Sequence, residues 1–162
     1  MDISTPKKVS ESAIDYHTHR IFPNDLNAHG TIFGGRVMEI ADVLTATVAI
    51  RHNGKLCVTL LVDSIKFLAP ARQGETLVFM AAVNRAWKTS MEVGIKVISE
   101  NYETGEKRHI VSAYFTFVGV DENLRPVPVR QVAPETADEK RRYEEAGKRR
   151  EQRLFGMRRV PQ

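Results

Sequence analysis

The chain has 162 residues, 42 % hydrophobic and 27 % charged, which is enough for one domain with a proper core and too little for two. That composition excludes an intrinsically disordered chain, and the longest apolar runs are too short to span a bilayer. The net charge of +4 does not spread into a nucleic-acid-binding surface: from Glu135 onward there are nine Lys or Arg against six Asp or Glu, while the rest carries fifteen against fourteen.

The start, MDISTPKKVSESAIDY, lacks the apolar core of a secretion signal. AIDYHTHRIF reads as a first strand, closed by Pro23 and the turn-rich NDLNAHG. Reading Gly35 to His52 with helical spacing puts Val37, Ile40, Ala41, Leu44 and Val48 on one face. The near all-round apolarity of residues 37–50 predicts a helix buried on most sides. It ends at His52-Asn53-Gly54, a good C-cap. Two features of this region exceed structural need. Gly34 and Gly35 follow Gly30, so something approaches the backbone closely. Asp42 has Met38 and Ala46 at i−4 and i+4 and Glu39 at i−3, hence no local cation to pair with.

Beyond Gly54 the period changes. LCVTLLVDSIKFL, ETLVFMAAVNRAW, SMEVGIKVISE and RHIVSAYFTFVGV are rich in β-branched and aromatic residues, separated by APARQG, KT and NYETGEK. Four consecutive strands imply antiparallel pairing, and one helix covers a five-stranded sheet only if the sheet curls around it. The expected fold is therefore α+β, with a strongly curved antiparallel sheet wrapped around a central helix. The single cysteine, Cys57, lies in an apolar strand and cannot form an internal disulfide, which fits a reducing cytoplasm. From Pro134 the chain changes in kind. Thr136-Ala137-Asp138-Glu139 is a capping box, and opposite charges recur at i,i+4 (Lys140/Glu144, Arg141/Glu145, Glu144/Lys148, Glu145/Arg149), predicting a solvated helix. This divides the chain into a domain over 1–133 and a charged helical tail over 134–162.

The runs PNDLNAHGTIFGGRVMEIAD, VTLLVDSIKFLAPARQGE, WKTSMEV and FTFVGVDENLRPVPV, in that order, resemble the acyl-CoA thioesterase branch of the hotdog superfamily over roughly Tyr16 to Arg130. The resemblance implies the hotdog fold and hydrolysis of acyl-CoA to a fatty acid and CoA. It also implies Asp42 as the catalytic carboxylate with Asn27 as its partner, contributed from opposite protomers of a dimer whose sheets join edge to edge. Three such dimers would form a hexamer.

The chemistry is consistent with those residue types. A thioester needs an attacking water, a base and donors for the developing oxyanion. Asp42 can serve as that base, or as a nucleophile forming an acyl anhydride. Asn27 can hold water or carbonyl, and the Gly34 and Gly35 amides, unpaired at a helix start, can polarise the thioester oxygen. The resemblance implies that coenzyme A is held at Lys88, Thr89 and Ser90, with Arg85 and Arg72 as weaker candidates. Where the family usually has glycine and arginine, this chain has Trp87 and Lys88, which keeps a cation and loses the bidentate fork.

No metal or separate cofactor is expected, since the five histidines show no ligand spacing. Neither nucleic acid nor membrane insertion is expected. Two other functions compete: a non-catalytic acyl-CoA sensor, and an acyl-CoA hydratase or dehydratase, suggested by Asp25-Leu26-Asn27-Ala28-His29.

Overall fold

A computed structural model describes residues 3–157. Along it run β1 (Lys7–Lys8), β2 (Ile14–Arg20), α1 (Gly34–Asn53), β3 (Cys57–Phe67), β4 (Thr76–Ala86), β5 (Ser90–Glu100), β6 (Lys107–Gly119), β7 (Val132–Ala133) and α2 (Ala137–Met157). β2 to β6 form one antiparallel sheet in the order β2-β4-β5-β6-β3, while β1 and β7 pair in parallel. The sequence implied antiparallel neighbours and those form, but β3 lies beside β6 at the far edge instead of beside β4. This leaves β3 and β2 as the two open edges.

Period-two alternation sorts the sheet into faces. Met91, Val93, Ile95 and Val97 on β5 and Phe115 and Phe117 on β6 share one core with Val37, Ala41, Leu44 and Val48 of α1. α1 touches β3, β4, β5 and β6, as a helix embraced by a sheet must. It ends where expected: Gly54 takes a left-handed φ of 71° and donates its N–H to Ile50 O at 2.8 Å. The expectation that α1 is buried on most sides needs correction within one chain. Val43 and Ile50 are exposed on its flank, as are Val58, Leu60, Ile65 and Phe67 on the β3 edge.

The tail departs most from its sequence reading. Its capping box forms, with Thr136 N donating to Glu139 Oε2 at 2.9 Å and Glu139 N to Thr136 Oγ1 at 3.2 Å. The helix that follows is solvated on one side only: its other side lies on the sheet face opposite α1. Arg149 makes two bonds to buried Glu92, at 2.7 and 3.1 Å, and its guanidinium sits 3.7 Å from the Tyr114 ring centroid. Arg153 reaches Asp63 on β3 at 2.6 Å. Ala146 is 0 % exposed, and a side chain at Gly147 would run into Arg85. Of the expected pairs within the helix, Arg141 to Glu145 forms at 3.0 Å, whereas Arg149 turns to the sheet.

Candidate active site

Asp42 lies on α1, half-buried, and its Oδ1 accepts a hydrogen bond from Thr59 Oγ1 at 2.9 Å. This bond ties the helix to the edge strand and leaves Oδ2 open to a reactant. Thr59 escaped the sequence reading, because a threonine within VTLLVDS is an ordinary strand residue there. Just beyond it β3 shifts register twice, between Thr59 and Leu61 and between Val62 and Ser64. Such bulges re-aim side chains.

Asn27 lies elsewhere. Its Oδ1 accepts from His29 N at 2.9 Å and Thr31 N at 3.3 Å, and its Nδ2 donates to Thr31 Oγ1 at 3.0 Å, so the side chain organises its own turn. Gly30 closes that turn with a φ of 74°, which favours glycine. Asn27 and Gly34 line one open cleft of about 460 Å³ with Thr31, Phe67, Leu68 and Ile110. The close approach foreseen at the glycines is made by aromatic rings. A Cβ on Gly34 would meet the Phe67 ring at 3.0 Å, and one on Gly35 would run into the Phe33 ring. Phe33, the N-cap, offers no side-chain acceptor, so the Gly34 and Gly35 amides are uncapped.

Asp42 is not beside its own helix start. Eight residues separate it from Gly34, about 12 Å at roughly 1.5 Å per residue. A single chain thus holds two separate groups, Asn27 near Gly34 and Asp42 with Thr59.

The loop before α1 is anchored by Asp25, which is 3 % exposed. Its Oδ2 accepts from Phe22 N and His19 Nε2, both at 2.9 Å, and its Oδ1 from Arg36 Nε at 3.2 Å. Burial alone would raise its pKa, but these donors outweigh it and hold the carboxyl below its ordinary value. His29 is exposed. Asp25 and His29 therefore do not form the acid–base pair a hydratase would need.

The proposed coenzyme loop is only partly free. Arg85 is held beneath α2, with its guanidinium 4.3 Å from the Tyr143 ring centroid and bonded to Tyr143 O at 3.4 Å. Ser90 is buried and accepts from Arg150 Nη1 at 3.1 Å, while Arg150 stacks 4.5 Å from Trp87. These contacts withdraw Arg85 and Ser90 as ready ligands and leave Lys88 and Thr89. Arg72 is exposed on the turn that bridges to Thr31. Among the described residues no three His, Cys, Asp or Glu side chains are grouped to hold a metal ion, and no helix is long and apolar enough to cross a membrane. Cys57 is buried and its thiol is pushed up to about 11 by loss of water.

A curled antiparallel sheet around one central helix defines the hotdog fold. Residues 29–106 match the Thioesterase superfamily model. An uncharacterized acyl-CoA thioester hydrolase of Bacillus subtilis is 41 % identical over 122 residues, covering 75 % of this chain and 71 % of that protein. A solved apo-hexameric acyl-CoA thioesterase superposes with a TM-score of 0.92 at 37 % identity, over 96 % of this chain and 99 % of its own. An acyl-CoA hydrolase from Staphylococcus aureus, solved with butyryl coenzyme A, coenzyme A and coenzyme A disulfide, superposes at 0.88 with 35 % identity, over 94 % and 93 % of the two chains. That hydrolase has also been solved with an aspartate, a threonine and an asparagine each replaced by alanine. The chain belongs to the acyl-CoA thioester hydrolases of the thioesterase superfamily.

Proposed function

We propose that this protein hydrolyses acyl-CoA thioesters to a carboxylic acid and free CoA, with Asp42 as the base that activates water. The observation that carries this is the Thr59-to-Asp42 bond of 2.9 Å, which fixes one carboxylate oxygen and leaves the other available. Asp42 takes the proton of a water as that water attacks the thioester carbonyl. The Gly34 and Gly35 amides, at the positive end of a helix dipole, stabilise the oxyanion, and collapse of the tetrahedral intermediate expels the CoA thiolate. Asn27 orients the carbonyl or the water through its carboxamide. The residue types exchanged in the staphylococcal variants are those of Asn27, Asp42 and Thr59 here. No metal or organic cofactor is required, because base, donors and leaving group are all supplied by side chains, backbone and substrate.

The separation of Gly34 and Asp42 along α1, about 12 Å by helix rise, suggests a site shared by two copies. A two-fold axis through the exposed β3 edge would run two copies of α1 antiparallel, bringing Asn27, Gly34 and Gly35 of one copy to Asp42 and Thr59 of the other. The exposed Val58, Leu60 and Ile65 on that edge, with Val43 and Ile50 on α1, are the apolar surface such a dimer would cover. Three such dimers would make a hexamer, and a solved relative is named as hexameric. Lys88 and Thr89 would meet the phosphorylated end of CoA, and the buried free thiol of Cys57 fits work in a reducing cytoplasm.

The test is thiol release from acyl-CoAs of graded chain length. Wild type is expected to turn over, and Asp42→Asn to lose about 10²- to 10⁴-fold in kcat while still binding. Thr59→Ala should lose less, since Asp42 then keeps its proton-accepting capacity and loses only its orientation. Tight binding without release from any chain length would overturn the hydrolase and favour a sensor.

A further inference from the structure

Asp25 does nothing in the reaction drawn above, yet it is among the most enclosed charged groups of the chain. Its carboxylate joins three elements: His19 from β2, the Phe22 amide from the turn that follows, and Arg36 from the first turn of α1. Its backbone carbonyl accepts the N–H of Phe33, the N-cap of α1, at 2.8 Å. Two residues along, Asn27 N donates to Thr31 O at 2.8 Å, so the loop from Asp25 to Phe33 is pinned at both ends and across its middle. Arg36 continues to Glu39 at 2.7 Å, which holds its guanidinium along the helix. Nothing local in the sequence requires an acid there, since a turn could be closed by a neutral Asx residue. A carboxylate is needed because one side chain must satisfy an amide, an imidazole and a guanidinium together.

Resting on the hydrolase reading, we infer that Asp25 is a positioning residue: with His19 and Arg36 it locks the Asn27 turn to the first turn of α1. Asn27 and the Gly34 and Gly35 amides then meet the thioester as one rigid unit. A misplacement near 1 Å costs up to about 100-fold in rate without any change in the reacting groups. The effect belongs in kcat, because the coenzyme end is held elsewhere.

The experiment compares wild type, Asp25→Asn and Arg36→Gln for kcat, KM and melting temperature with one acyl-CoA, together with hydrogen exchange at residues 27–36. Asp25→Asn keeps the size and the Phe22 contact but loses the charge. It is expected to lower kcat about 10- to 100-fold with KM within about threefold, and to raise exchange at the Asn27 turn and the α1 start together. Arg36→Gln is expected to lower kcat less, and the double variant to be no slower than Asp25→Asn, since both break one link. If Asp25→Asn does not fold, Arg36→Gln alone carries the test through the same split. Normal kcat in a folded variant with lowered melting temperature would overturn the inference and leave Asp25 a plain structural anchor. Absence of turnover in wild type would instead overturn the hydrolase reading.

Discussion

The two helices cover opposite faces of the same sheet by different physics. α1 buries Val37, Ala41, Leu44, Val48 and Ala49 against the apolar face, so its docking is a matter of area removed from water. α2 buries Ala146 and Gly147, packs Tyr143 on Arg85, and holds on largely through arginines: Arg149 on Glu92 and Tyr114, Arg150 on Trp87 and Ser90, Arg153 on Asp63. Its face of the sheet is polar by design, with Glu92 buried and bonded by Asn84 at 2.9 Å as well. The contrast teaches that a helix without an apolar stripe can still be integral when its long cationic side chains find acids and rings across the interface.

Breaking each mode separately measures the difference. Val48→Asp places an unpaired carboxylate in the α1 core and should cost about 4 kcal/mol or more in urea unfolding. Glu92→Ala strands Arg149 beneath α2 and should cost about 3 kcal/mol, and adding Arg149→Met should restore part of it. Equal losses in the single and double variants would show that the pair does not hold α2.

pH sharpens the same contrast. His52, at the end of α1 and fully buried, has its pKa pushed down from 6.5 to about 4, because burial and the charges of Lys7 and Arg130 outweigh the opposing backbone hydrogen bonding of Arg130 and Gln131. Because the folded state resists the proton that the unfolded chain accepts, full stability is present above pH 6.5 and is lost as pH falls toward 4. The loss amounts to about 3 kcal/mol. The arginines of α2 stay charged throughout that range. Denaturant melts from pH 7 to 4 should show this decline, and His52→Gln should flatten it. Smallest of all, Arg141→Ala, which removes exposed pairs with Asp138 and Glu145, should change stability by less than about 1 kcal/mol, and high salt should erase even that.

The sequence was most legible where structure is local or periodic. α1 runs Gly34–Asn53 against an expected Gly35 to His52, and the run SMEVGIKVISE forms β5 over Ser90–Glu100. Asp42 stood out because an acid with no cation within a helical turn has few reasons to be there. What stayed hidden depends on contacts between distant residues. Thr59 meets Asp42 across seventeen positions, and Asp25 meets Arg36 across eleven, at spacings that no period marks. The docking of α2 was hidden for the same reason, although Ala146-Gly147, a small pair amid long side chains, was a legible hint of close approach.

The central claim is that Asn27 and Asp42 complete one site from two copies, and mixing inactive chains tests it most directly. Asn27→Ala and Asp42→Asn protomers, each without turnover alone, are co-refolded and assayed for thiol release. If the site is shared, half of the randomly formed dimers are hybrid and each holds one intact site, so activity returns to about a quarter of wild type. No recovery, with hybrid dimers demonstrated, would mean that both residues act within one chain and would contradict the shared site.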